Sequence, residues 1–253
     1  MRWYNRNMED KTYKEANDIF GDNQILFMNH GFCPVSEDIQ DLEFKHQVEL
    51  YNQAIKEIDL DDKVVLEIGC GRGGGSKWIS SKHNVPTYHA CDISEENINF
   101  CNKTNTNNNI IYSIMDSQNL QYPDDFFDLV ICVESSHNYK NMELFFENVR
   151  RVLKKTGQLV LLDNYVLGEE AIQNKLMSID SVKGSAVGFN VLEYVDITEN
   201  VKASCKEDIE LIDNWVSDIN AAEKLKSISS GSYKRYENNR WAYFKFKFGM
   251  IDL

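Results

Sequence analysis

The sequence predicts an α/β fold: a mostly parallel sheet of seven strands with helices on both faces, under a helical lid. Three observations carry this. Short apolar runs alternate with helix-patterned stretches from residue 64 onward, the alternation that buries a parallel sheet between helical layers. The chain has 253 residues, 42% of them apolar, enough for one sizeable core. It has only three prolines and no Ser/Gly-rich linker, so 1–253 reads as a single domain.

Residues 1–30 carry helix-like patches and are expected to form an N-terminal lid segment. From Glu37 to Ile58, Leu42, Phe44, Val48, Leu50, Tyr51, Ala54 and Ile55 recur at roughly helical spacing, which predicts the first packing helix. Strands are then predicted at Val64–Ile68, Thr87–Cys91, Ile110–Met115, Leu129–Val133, Leu159–Asp163, Asn190–Thr198 and Trp241–Met250. Ser94-Glu95-Glu96 reads as a helix start, and the polar run Asn102 to Asn109 as a surface loop. Two helical stretches, 164–189 and 208–230, read as insertions that cap a substrate.

The chemistry concentrates where the first strand ends, in Val64-Val65-Leu66-Glu67-Ile68-Gly69-Cys70-Gly71-Arg72-Gly73-Gly74-Gly75, followed by Ser76-Lys77-Trp78-Ile79 opening a helix. Glycines at such a junction let a ligand approach the backbone at a helix N-terminus. A P-loop reading fails, because Gly75 stands where the phosphate-binding lysine belongs. A dinucleotide fingerprint fits on spacing, as Gly69-x-Gly71-x-x-Gly74 with Asp92 downstream. Against it, Glu67 would repel a pyrophosphate. The same carboxylate would help S-adenosylmethionine, which has an ammonium and a sulfonium and no phosphate. A turn that merely packs a helix on a sheet is the plain alternative.

The following strands sharpen this. Asp92 ends the second, placed for ribose hydroxyls, with Ile93 placed to cover an adenine face. Asp116, with Ser117, ends the third near the adenine amino group, and Glu134 ends the strongly apolar fourth. Each acid alone reads as a surface residue or helix cap; four in sequence order do not. The candidate cofactor-binding set is Glu67, Gly69, Cys70, Gly71, Gly73, Asp92, Ile93, Asp116, Ser117 and Glu134.

On these segments, and on Phe127 to Tyr139 and Val152 to Val160, the chain resembles a class I, Rossmann-like S-adenosylmethionine-dependent methyltransferase over about residues 25–250. Lys155-Thr156-Gly157 stands where that family usually has Pro-Gly. Asn29-His30-Gly31-Phe32 resembles the Gly-Tyr-Trp lid segment of natural-product and lipid O-methyltransferases. Glu134-Ser135-Ser136-His137 is similar to the corresponding segment of the phenolphthiotriolone and macrolide methyltransferases. Arg240-Trp241-Ala242-Tyr243-Phe244 is similar to phosphoethanolamine methyltransferases, which keeps a small amine acceptor open. The resemblance implies methyl transfer to a hydroxyl of a small, largely apolar metabolite. The alternatives are N-methylation, or a protein of this fold that uses the cofactor without transferring its methyl, pericyclase-like or regulatory.

Methyl transfer is an in-line displacement that needs alignment and, for a hydroxyl, removal of a proton. His137 is the candidate base, at the carboxyl edge of the sheet, with Asp163 placed to orient its ring and Tyr13 a weaker second candidate. His30 is equally suited to contacting a ligand, and a packing role for His137 is the competing reading. Phe27, Met28, Phe32, Tyr165, Met177, Phe189 and Trp215 are expected either to line an apolar acceptor pocket or to pack helices.

A formal charge of −13 disfavours nucleic acid, whose phosphates require Lys and Arg. No apolar run approaches the ~18 residues of a membrane span, and the first residues lack a signal peptide's apolar stretch, so the expected location is cytoplasmic. The six cysteines show no metal-ligand spacing such as Cys-x-x-Cys, which predicts neither disulfides nor zinc. The oligomeric state stays open, a homodimer being one option.

Overall fold

The computed structural model of the chain describes residues 25–105, 107–167, 186 and 188–251. In chain order the elements are α1 (Lys45–Ile55), β1 (Val64–Ile68), α2 (Gly74–Lys82), β2 (Thr87–Asp92), α3 (Glu95–Thr104), β3 (Ile110–Ile114), β4 (Phe127–Val133), α4 (Met142–Val152), β5 (Leu153–Val166), β6 (Phe189–Asp196), α5 (Thr198–Trp215), α6 (Ile219–Glu237) and β7 (Trp241–Met250). The seven strands form one sheet in the order β3-β2-β1-β4-β5-β7-β6. Neighbours from β3 to β5 run parallel, and β7 runs against both β5 and β6.

Strand alternation builds two cores, one on each face. Val65, Leu129, Ile131, Val160 and Leu162 face α1, α2, α5 and α6, meeting Leu50, Ile79, Val201 and Tyr236. Leu66, Ile68, Val130, Cys132, Leu159 and Leu161 face α4, meeting Phe145, Phe146, Val149 and Val152. On α4 those four residues follow the 3.6-residue period of a one-sided helix, and the Asn141 side chain caps it by accepting from Leu144 N. A third, small cluster of Ile25, Phe44, Val216 and Ala221 ties the N-terminal segment to the α5–α6 pair.

The larger departures from the sequence expectation are these. The first helix starts at Lys45, not Glu37, because the backbone before it closes tight turns, Ile39 N to Ser36 O and Leu42 N to Ile39 O. β5 starts at Leu153, ahead of Leu159, because α4 runs directly into it; Lys154–Gly157 bulge between the pairs Phe127–Leu153 and Leu129–Gln158. The helical stretch expected over 208–230 is two helices, α5 beginning at Thr198 and α6 ending at Glu237. They break before Asp218, whose Oδ1 accepts from Ala221 N. Residues 164–166 extend β5 and Phe189 opens β6, so the ends of the expected 164–189 insertion belong to the sheet. Residues 1–24 of the expected lid, with Tyr13, and 168–185, with Met177, lie outside the described residues. Among the described residues, no helix is long and apolar enough to cross a membrane.

Candidate active site

β1 hands the chain to α2 through Gly69, Gly71 and Gly73, at φ of 74°, 53° and 79°. Side chains are strained there, and a Cβ on Gly69 would fall 2.0 Å from Ser135 Oγ. The amides of Gly69 and Cys70 both donate to Cys91 O, and that of Gly71 donates to Asp92 Oδ2 at 2.8 Å. A pyrophosphate is held in such turns by backbone N–H donors; here these three are committed within the protein. The lid segment comes down on the turn, Met28 Sδ standing 3.4 Å from where a Gly71 Cβ would be.

Beside the turn, at the carboxyl ends of β1 to β4, opens a cleft of ≈ 480 Å³, part of it open solvent. Of the expected residues, Gly69, Asp92, Ile93, Asp116 and Ser117 line it together. Asp92 also accepts from Ser94 N at 2.8 Å. Burial pushes its carboxyl above the usual range, while the Ser94 and Gly71 amides pull the other way. Ile93 is 53% exposed, an apolar platform at the cleft lip. Asp116 accepts from Gln118 N at 2.8 Å in a local turn. Met115, Gln118, Ser135, Asn138 and Tyr139 also line the cleft, and sequence reasoning missed them. The available signal was position: three of them follow β4 within six residues of Val133. Acids and an apolar shelf, with committed amides, suit an adenosyl ligand carrying positive charge.

The other expected cofactor residues sit outside this lining. Glu67 has the wrong parity on β1 to face the cleft: it lies fully buried on the α1 side. Tyr51 and Tyr88 donate their hydroxyls to it at 2.7 and 3.1 Å. Tyr51 gets there because Gly75 has no Cβ, which would meet its ring at 2.0 Å. Burial lifts the Glu67 pKa to about 7, against the pull of both tyrosines. Glu134, at φ 48°, turns away to accept from His30 N at 2.7 Å and from the Tyr243 hydroxyl at 3.0 Å. Cys70 is buried, and Gly73 serves as N-cap of α2.

His137 and Asp163 do meet. β4 ends in a 3₁₀ turn, Ser136–Asn138, that packs on the end of β5. Asp163, fully buried, accepts from Ser136 Oγ at 2.6 Å, His137 N at 3.0 Å, Asn164 N at 2.8 Å and His137 Nδ1 at 2.7 Å. His137 Nε2 lies 3.0 Å from the Asn138 side-chain amide, at a partly exposed edge. Burial disfavours the charged ring, but the Asp163 carboxylate and, behind it, Glu134 outweigh it and raise the His137 pKa above its ordinary value. His30 also has both ring nitrogens occupied, Nδ1 by the Tyr236 hydroxyl at 3.0 Å and Nε2 by Ser232 Oγ at 3.2 Å.

The aromatic residues expected around an acceptor mostly pack the core. Tyr165 lies against Phe244 and Phe246, Phe189 against Phe146 and Phe248, because both belong to strands and not to an insertion. Phe32 is buried, Phe27 leans on Phe44 and Tyr51, and Trp215 packs on Phe44 with its indole N–H on Glu43 O. Met28 keeps 36% of its surface exposed.

Comparison with known proteins identifies the family. The methyltransferase domain family matches residues 66–161, which run from β1 through the glycine turn into β5. A fatty-acid O-methyltransferase of Mycolicibacterium smegmatis is 32% identical over 204 residues, 73% of this chain and 74% of that one. The phthiotriol/phenolphthiotriol dimycocerosates methyltransferase of Mycobacterium tuberculosis is 28% identical over 148 residues, 56% of this chain and 55% of that one. A cyclopropane synthase structure from Mycobacterium tuberculosis superposes with a TM-score of 0.73 at 16% identity, covering 93% of this chain and 95% of that one, a likeness of fold. With its strand order, a cleft lined by Asp92, Asp116 and Ser117 at the carboxyl ends of the strands, and a relative aligned over most of its length, the chain belongs to the class I S-adenosylmethionine-dependent methyltransferases.

Proposed function

We propose that the acceptor is a lipid-like molecule, methylated on a hydroxyl oxygen with His137 as general base. The observation that carries this is the His137–Asp163 pair at the carboxyl edge of β4 and β5, beside the cofactor cleft. Nδ1–H bonded to a buried carboxylate fixes the tautomer, so the neutral ring carries its lone pair on Nε2, which accepts from the Asn138 amide at the exposed edge until an acceptor hydroxyl takes that place. The cofactor, when bound, supplies an electrophilic methyl on a sulfonium. His137 takes the hydroxyl proton as that oxygen attacks, and Asp163 stabilises the resulting imidazolium. The lipid-like class is supported by the two relatives, whose names specify a fatty acid and phthiotriol/phenolphthiotriol dimycocerosates. Within the cleft, Asp92 is assigned to the ribose hydroxyls, Ile93 to the adenine face and Asp116 with Ser117 to the adenine amino group. Glu67 acts from beneath the turn, as a buried carboxyl group held by the Tyr51 and Tyr88 hydroxyls.

His137→Ala separates an alcohol from a carboxylate acceptor. A hydroxyl must lose a proton, whereas a fatty acid is already ionised at neutral pH. The variant, assayed with labelled S-adenosylmethionine, should bind cofactor normally and transfer to hydroxylated lipids about 10²–10⁴-fold more slowly. Wild-type rates should rise with pH through an apparent pKa above 6.5, the direction in which His137 is shifted. Unchanged transfer in the variant, or transfer confined to fatty acids, removes His137 as a base. Tight cofactor binding with no S-adenosylhomocysteine formed from any acceptor would instead favour use of the cofactor without methyl transfer.

A further inference from the structure

Three potential metal donors from distant parts of the chain converge away from the cofactor cleft: Cys33 in the lid segment, His46 in the first turn of α1 and Glu207 in α5. Their ligating atoms all lie within 4.8 Å of one another. Cys33 Sγ is 3.2 Å from Glu207 Oε1, and His46 Nε2 is 3.1 Å from Glu207 Oε2. Tetrahedral zinc with bonds of ~2.0–2.3 Å needs donor–donor edges of about 3.3–3.6 Å, so small rotamer adjustments suffice to close the set.

The imidazole supplies the independent observation. His46 is 1% exposed. Its Nδ1 lies 2.6 Å from Asp208 Oδ1, and Asp208 Oδ2 is held in turn by Gln47 Nε2 at 2.6 Å. In the neutral tautomer that donates Nδ1–H to this carboxylate, the lone pair lies on Nε2. That nitrogen makes no hydrogen bond, although it is aimed at the donor set and has a carboxylate oxygen 3.1 Å away. With the ring neutral, that lone pair and the Glu207 carboxylate oxygen repel each other unless a cation lies between them. Carboxylate–histidine–metal relays have this arrangement, the outer carboxylate setting the tautomer of the ligating ring.

We propose that Cys33, His46 and Glu207 form a zinc site, with Asp208 as its orienting carboxylate. Thiolate, imidazole and carboxylate together suit Zn²⁺ better than Mg²⁺ or Ca²⁺, which prefer oxygen alone. Binding displaces the Cys33 thiol proton to solvent, and water fills the fourth position. Glu207 is half exposed and Cys33 partly so, which gives the ion a way in. The ion would clasp the lid segment to α5, on the same side that Cys33 N and Asn200 O already join by a backbone hydrogen bond.

The test uses the full chain, stripped with a chelator and titrated with Zn²⁺ alone or with Co²⁺ as a spectroscopic substitute. Wild type should take up one equivalent of Zn²⁺ and show a thiolate-to-Co²⁺ charge-transfer band. Cys33→Ser should lose that band. Glu207→Gln, at an exposed position that leaves the core intact, should bind at least about 10-fold more weakly, and Asp208→Asn about 10–100-fold more weakly. No stoichiometric uptake, no charge-transfer band, or wild-type affinity in both Cys33→Ser and Glu207→Gln would overturn the site. Methyl transfer is read separately, so neither result bears on the acceptor.

Discussion

Glu67 shows how one buried residue sets a property of the whole fold. Burial raises its pKa from 4.5 to about 7 in the folded chain. Between those values the folded state holds more proton than the unfolded one, so stability falls as pH rises through the window and levels off above it. At 1.36 kcal/mol per unit, the loss is about 3 kcal/mol. Glu67→Gln should therefore lose about 2.5 kcal/mol less than wild type between pH 5 and pH 8 in urea unfolding, the rest of the loss falling below pH 5. His137, also shifted upward, contributes a separate decline: its stabilisation is complete below 6.5 and disappears as pH rises through its folded pKa. That part of the slope should survive in the variant, and identical slopes in the two proteins would sink the assignment to Glu67. The cleft acids were legible in the sequence because a strand end fixes where a side chain lands. The enclosure of Glu67 was not, since it depends on Gly75 admitting Tyr51 from a helix twenty residues upstream. The Cys33–His46–Glu207 set was hidden for the same reason: its members are brought together by tertiary packing and share no short spacing.

At the scale of elements, the 3₁₀ turn after β4 carries the site, and Asp163 of β5 is what holds it. One carboxylate oxygen takes both Ser136 Oγ and the His137 amide, while the other takes the His137 ring. Turn geometry and ring orientation thus share an acceptor but use different atoms of it. Ser136→Ala removes one hydrogen bond to a buried charge, worth about 1.5–3 kcal/mol, and leaves the His137 ring bond in place. Its unfolding free energy should fall by that amount, with the pH profile of methyl transfer unchanged. A displaced profile would mean that the hydroxyl tunes the base as well as bracing the turn. β1 to β4 were legible to within two residues because their apolar runs are short and bounded; β5 was not, since α4 runs into it through the polar residues Lys154 to Gly157. Helix limits were less so. The residues from Glu37 to Phe44 carry apolar side chains at helical spacing, yet their backbone bonds close turns instead. The start of α5 at Thr198 follows directly on a strand, with only the Asp196–Thr198 turn between them.

Across the whole molecule, the sheet separates two cores, and the cleft lies at its edge where the glycine turn, β2, β3 and the turn after β4 meet. A ligand there touches four separately folded segments and binds only when all are in place, so its binding free energy adds to global stability. At one hundred times its Kd, such a ligand adds about 2.7 kcal/mol, which for a chain of this size raises the melting midpoint by about 5–10 °C. S-adenosylmethionine and S-adenosylhomocysteine should both give this shift. A nicotinamide dinucleotide should give none, because the Gly69, Cys70 and Gly71 amides that a pyrophosphate would need already bond to Cys91 O and Asp92. The comparison reads the glycine turn itself, since Gly69-x-Gly71-x-x-Gly74 fits both ligands by spacing and differs between them only in where its amides point. An equal shift with the dinucleotide would mean that those amides can be released, and the charge preference assigned to the turn would fall with them.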